Sequence, residues 1–217
     1  MNAMNKLPSA RRVRFFAASL CLVALGACSA LSPSITTHPA YYALDNTQSA
    51  APVAMPAAAP TLIINPPHAT AGFASPRIIY VREAHKLEYF AHSEWIDPPA
   101  RMLTPLLVAA TANTGAFRAV VLTPSAAAGD LRLDTEIIRL QHEFGALPSR
   151  VRFTLRANLV DNKTREVLAW REFDTSVAAT SEDAYGGVVA ANRAVATVLE
   201  SVSAFCAEAA RSVWTKK

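Results

Sequence analysis

The sequence predicts an α+β fold: a single domain with one antiparallel sheet, covered on one face by helices, behind a flexible N-terminal tether. Three observations carry that reading. First, Leu131, Leu133, Thr135 and Ile137 alternate with Arg132, Asp134 and Glu136, and Val151, Phe153, Leu155, Ala157 and Leu159 alternate with Arg150, Arg152, Thr154, Arg156 and Asn158. A period of two marks strands with one buried face. Second, Val188, Ala191, Val195, Val198, Val202, Phe205 and Ala209 recur every three or four residues, as on the buried stripe of a long helix. Third, the elements run strand, hairpin, helix, several strands, helix, an order that suits helices stacked on one sheet face.

The chain opens with Lys6, Arg11, Arg12 and Arg14 and no acid before residue 28, then an apolar run from Phe15 to Leu25. These are the n-region and h-region of a secretory signal peptide. Leu25-Gly26-Ala27-Cys28 closes the run and resembles a bacterial lipobox. That resemblance implies cleavage between Ala27 and Cys28, a diacylglyceryl group on the Cys28 thiol and acylation of the freed amine. The mature chain would be held to a membrane by this covalent lipid, with no other cofactor implied. Two or three acyl chains, at about 0.8 kcal/mol per buried methylene, anchor stably where one chain is marginal. A plain secretory signal with an Ala-x-Ala-like site and a transmembrane anchor are the alternatives, although the run is shorter than the ~20 residues a span needs.

Cutting at Cys28 changes the composition. Removing the four basic residues of the signal from the 21 lysines and arginines leaves 17, against 17 acids, so the mature chain is neutral. The high isoelectric point therefore gives no reason to expect nucleic acid as a partner. Cys21 leaves with the signal and Cys28 takes the lipid, so Cys206 has no intrachain disulfide partner. Beside Phe205 in the helical stripe, Cys206 reads as a buried inert thiol or as a reactive one.

Residues 28–60 are rich in Ala, Ser, Thr and Pro and end in a near-low-complexity run from Ser49 to Pro60. Such a segment has too few large apolar groups to offset its ordering entropy. It predicts a leash with a root-mean-square reach on the order of 30 Å. The island His38-Pro39-Ala40-Tyr41-Tyr42-Ala43-Leu44 interrupts the leash and is expected to form a short strand or to dock on the domain, which occupies residues 61–217.

Within the domain, Leu62-Ile63-Ile64 is a short buried strand ended by Pro66-Pro67. Arg77–Val81 and Leu87–Phe90 flank a polar turn and predict a hairpin. After Pro98-Pro99, the apolar positions Met102, Leu103, Leu106, Leu107 and Ala110 predict a helix, whose start Pro105 either tolerates or delays. Phe117–Leu122 is the next strand. In Ile138-Arg139-Leu140 the alternation shifts by one residue, which predicts a bulge. Asp161-Asn162-Lys163-Thr164 is turn chemistry, and Val167–Val177 completes a three-strand meander. Arg152 and Arg156 are expected to face Asp134 and Glu136 in a cross-strand charge ladder, with an anion site as the alternative. Ser181, with Glu182 and Asp183, is expected to cap the closing helix.

The motifs of enzymes and metal sites do not appear. Gly186-Gly187 has no Lys-Ser/Thr sequel, and no Gly-x-Ser-x-Gly elbow occurs. His38, His68, His85, His92 and His142 show no metal-ligand spacing. His85 and His92 could meet Glu88 or Glu94 near the hairpin, or simply stand on the surface.

The runs Ser75-Pro76-Arg77-Ile78-Ile79-Tyr80, Leu87-Glu88-Tyr89-Phe90 and Trp95–Leu103 resemble the ABC-type transport auxiliary lipoprotein family, the PqiC type. Gly115–Val120, the 131–140 strand and Thr164–Val167 with Phe173 fit as well, and the match covers most of residues 41–206. The resemblance implies a non-enzymatic lipoprotein on the periplasmic side of the outer membrane. It would work with an ABC permease, its ATPase and an MCE-domain protein that conducts lipids between membranes. Ser29 after the lipidated cysteine, rather than Asp, permits sorting to the outer membrane by the usual rule. Trp95, beside Pro98-Pro99, is a candidate partner anchor, with Tyr80 and Tyr89 as candidate contacts beside it. The alternative places Trp95 in the core between hairpin and helix. A lipid carrier with an apolar cavity and a structural lipoprotein are the rival functions, and self-association is left open.

Overall fold

The computed structural model describes residues 38–45 and 56–214, so the signal, Ala27 and Cys28 lie outside the described residues. From Pro39 onward the chain forms one compact unit. Among the described residues, nine strands join one sheet. They are β1 (Ala40–Tyr42), β2 (Thr61–Ile64), β3 (His68–Ala69), β4 (Arg77–Val81), β5 (Glu88–Trp95), β6 (Ala119–Leu122), β7 (Leu131–Glu143), β8 (Arg150–Asp161) and β9 (Val167–Ala178). Helix α1 (Pro99–Ala112) follows β5, and helix α2 (Ala184–Trp214) closes the chain.

The three long strands pair as the alternation predicts. β7 and β8 are antiparallel with Leu133 opposite Leu159 and Ile137 opposite Leu155, and their register shifts between Ile137 and Arg139, at the expected bulge. β9 continues the meander beyond β8. At the turn between them, the Asp161 carboxylate accepts the Lys163 and Thr164 amides.

The other edge of β7 departs from the antiparallel expectation, and the sheet is mixed. β2, β3 and β4 line that edge one after another, each parallel to β7. β6 adds parallel to β2, β5 antiparallel to β4, and β1 parallel to β5. The cause lies in the connections. Asn65–Pro67 and the 3-10 turn Ala71–Phe73 step the chain forward along β7 without reversing it, so three short strands share one 13-residue edge in chain order. The Asn65 and Thr70 amides hold the steps by donating to the Leu133 and Ile137 carbonyls at 3.1 and 3.0 Å. The Tyr41–Leu44 island lies inside this fold: β1 pairs with β5, Leu44 is buried, and Asn192 of α2 clamps the next peptides by accepting from Asp45 N and donating to Ala43 O.

α1 starts at Pro99, where a missing N–H would be unpaired anyway, and runs through Pro105 without a break. α2 is capped by Asp183 rather than Ser181. Asp183 Oδ1 accepts the Gly186 amide at 2.7 Å, and the Ser181 hydroxyl donates to the same oxygen. Val195, Val198, Val202 and Phe205 of α2 pack with Phe153, Leu155, Leu159 and Phe173 of the sheet in one core. At 31 residues α2 is long enough to cross a bilayer, but its apolar stripe is spent on the sheet. Cys206 is fully buried there, and burial pushes its thiol up to about 12, so it is an inert core residue.

Candidate functional site

The hairpin β4–β5 carries the predicted contact residues, and the structure separates them. Trp95 ends β5 with 3% of its surface exposed. Its backbone N–H donates to the Pro76 carbonyl at 2.7 Å, and its ring closes a cavity of about 10 Å³ with Ile78, Leu140, Val151 and Ala191. Of the two readings of Trp95, exposed anchor or core plug between hairpin and helix, its burial supports the second. At the last position of β5 its side chain joins the core, beside Leu140, Val151 and Ala191. Tyr89 stays half exposed, with the Arg77 guanidinium 4.1 Å above its ring.

Tyr80 belongs to an aromatic cluster built where β4 and β7 end and β5 begins. Its ring lies 4.8 Å from Phe90 and 5.9 Å from Phe144, and Arg82 sits 4.9 Å over its face. Phe144 stacks in turn on His142 at 4.1 Å. Tyr80 and His142 share a register position, which is why residues 62 apart in sequence meet.

His142 is the functional-looking group that sequence spacing did not single out. Its Nε2 lies 2.7 Å from the Ser149 hydroxyl, and the Ser149 amide donates to Glu182 at 3.0 Å. Its Nδ1 has no partner and faces Gly187 of α2. Burial lowers the His142 pKa, against the opposing pull of Glu182 and Asp183. Hydrogen bonds from Ser149 hold the Glu182 carboxyl below its ordinary value. Ser149 and His142 are both buried, so no substrate reaches the hydroxyl, and the trio acts as a clasp between the β7–β8 turn and the start of α2. Only the tertiary pairing of three separate segments reveals it.

A solvent-open groove of about 440 Å³ runs between β1 and α2, lined by Tyr41, Tyr42, Tyr185, Val188 and Asn192. On the opposite sheet face the arginines are consumed by acids. Arg156 bridges Glu136 and Glu172 at 3.4 and 3.0 Å, and Arg152 holds Asp174 at 2.7 Å. Asp134 binds Arg132 instead of Arg152. A ladder in which both signs neutralise each other leaves little field for an anion. His85 and His92 stand exposed, and among the described residues no cluster of three His, Cys, Asp or Glu could hold a metal.

A family model described as the ABC-type transport auxiliary lipoprotein component matches residues 42–203. The chain belongs to that family. The auxiliary lipoproteins are a transport family, and the match begins inside β1 and ends inside α2, so it spans the sheet and both helices. Two solved structures share the fold. Protein XCC0632 from Xanthomonas campestris has a TM-score of 0.70 at 22% identity, covering 79% of this chain and 97% of its own. An uncharacterised protein has a TM-score of 0.61 at 13% identity, covering 78% and 99%. Among curated proteins, none matches the sequence.

Proposed function

We propose that this lipoprotein is a non-catalytic adaptor, anchored by lipid on Cys28 to the periplasmic face of the outer membrane. There it joins an ABC permease, its ATPase and an MCE-domain protein in moving lipids between the two membranes. Membership of the transport auxiliary family is the observation that carries the reading. The lipobox at Leu25-Gly26-Ala27-Cys28 and Ser29 after it support the anchor and the outer-membrane address. The cavities among the described residues favour an adaptor over a lipid carrier. The cavity behind Trp95 has room for about one water molecule, and the larger β1–α2 groove is open to solvent. An acyl chain would need hundreds of cubic ångströms of shielded apolar space, on the scale of ~300 Å³ or more.

The test is copurification of the native lipoprotein in mild detergent. The expected companions are the MCE-domain protein and the permease–ATPase pair, and loss of the lipoprotein should reproduce the phenotype of losing the MCE protein. A preparation that arrives alone, or one that carries stoichiometric lipid after delipidation and mass spectrometry, would overturn the adaptor reading.

A further inference from the structure

The direction of β1 sets the end of the sheet from which the chain enters the domain. β7 runs toward Glu143, β4 is parallel to it, β5 returns antiparallel, and β1 follows β5 with Ala40 opposite Ser93 and Tyr42 opposite Trp95. Going backward from Ala40 therefore leads toward the sheet end that carries the β4–β5 turn and the β7–β8 turn. Cys28 precedes Pro39 by 11 residues. Such a stretch spans at most ~40 Å, with a root-mean-square reach nearer 20 Å. An acyl anchor on Cys28 would be tethered to the start of β1 by that stretch alone.

That same end carries an exposed apolar turn. Gly145-Ala146-Leu147-Pro148 is an uncharged tip, all four residues exposed, and Leu147 has 84% of its surface in solvent. The tip is braced from below. Phe144 N donates to Val81 O at 2.8 Å, its ring stacks on His142, Ser149 N is held by Glu182, and Ala179 N donates to Ser149 O. Behind it stand the half-buried rings of Tyr80 and Phe144, with the exposed Arg82 stacked over Tyr80. An apolar tip above an amphipathic tyrosine, a phenylalanine and a guanidinium is the arrangement that suits an acyl boundary below a headgroup layer. Most acids nearby are occupied, Glu182 with Ser149, Asp183 with Gly186, Glu88 with Lys86 and Glu143 with Gln141, while Glu83 stands exposed in the β4–β5 turn beside Arg82.

From this placement we infer that the Leu147 turn is a membrane-seating tip: it inserts Leu147 into the bilayer that carries the anchor, with Tyr80, Phe144 and Arg82 at headgroup depth. The inference rests on the lipid-anchor reading above.

The test uses the full acylated lipoprotein reconstituted in phosphatidylethanolamine–phosphatidylglycerol vesicles. Leu147→Cys and, at the opposite end of the sheet, Val167→Cys are labelled with an environment-sensitive fluorophore. The buried Cys206 thiol does not compete. Flotation with the vesicles checks the anchor independently, and a chain that fails to float overturns the anchor reading itself. With flotation established, lipids spin-labelled on the acyl chain should quench the position-147 label severalfold and leave the position-167 label unquenched. Floated protein with an unquenched 147 label, or with equal quenching at both positions, overturns the seating tip while leaving the anchor intact.

Discussion

At the scale of single residues, burial decides between two readings of the same side chain. Trp95 has the composition of an interface anchor and the position of a core plug, and 3% exposure assigns it to the core. Trp95→Ala should therefore cost the isolated domain about 3 to 5 kcal/mol, seen as a large drop in denaturant midpoint. A midpoint close to the parent's would return Trp95 to the surface. His142 makes a second residue-scale prediction. Its folded pKa lies below the unfolded value of 6.5, so between the two the unfolded chain binds more protons and stability rises with pH. The contribution of the neutral, buried ring is whole above pH 6.5 and is lost as pH falls through the folded value. Glu182 and Asp183 are depressed, so their contributions are present above the ordinary carboxylate values and lost further into acid. Melting temperature should thus fall in two limbs on acidification. His142→Gln should remove the upper limb and keep the lower, and an unchanged upper limb would show that another group titrates there.

Elements meet through small and charged residues whose roles differ in size. Gly187 sits in α2 against the His142 ring, and a Cβ there would stand 2.5 Å from Nδ1. Glycine to alanine inside a helix ordinarily gains about 0.8 to 1 kcal/mol. Here Gly187→Ala should destabilise, and the gain should return in a His142→Ala background, a coupling that a double-mutant cycle measures. Additive effects would mean that α2 and β7 do not press on each other at this point. The arginine ladder is the opposite case. Arg156 touches two acids, but all three side chains are about 41% exposed. Arg156→Ala should cost under about 1 kcal/mol, because solvent screens the pair and both side chains lose entropy in making it. β1 adds a third test. Chains beginning at residue 36 and at residue 56 should differ in stability by roughly 1.5 to 3 kcal/mol, since the shorter one leaves Leu44's site empty and Asn192 without Asp45 and Ala43.

At the scale of the whole molecule, the long repeating segments were legible and the joins were not. Period-two alternation over 12 or 13 residues predicts β7 and β8 and even their bulge, because one face of each must be buried along its full length. The 3.6 periodicity of α2 is equally local. The parallel pairing of β2, β3 and β4 with β7 left no local trace: short apolar strands look the same whichever way their neighbour runs. The clasp was hidden for the same reason, since His142, Ser149 and Glu182 belong to separate elements that only the closed sheet and its helix bring within hydrogen-bond distance. By itself the sequence determined the α+β class, the family and the elements that bury one face, since these follow from residue type and spacing. Tertiary structure alone decided that Trp95 is core, that Tyr80 joins an aromatic end, and that β1 points its N-terminus toward the Leu147 turn. Those depend on which strand lies beside which, a choice fixed by global packing and chain reversal and not by any window of the chain.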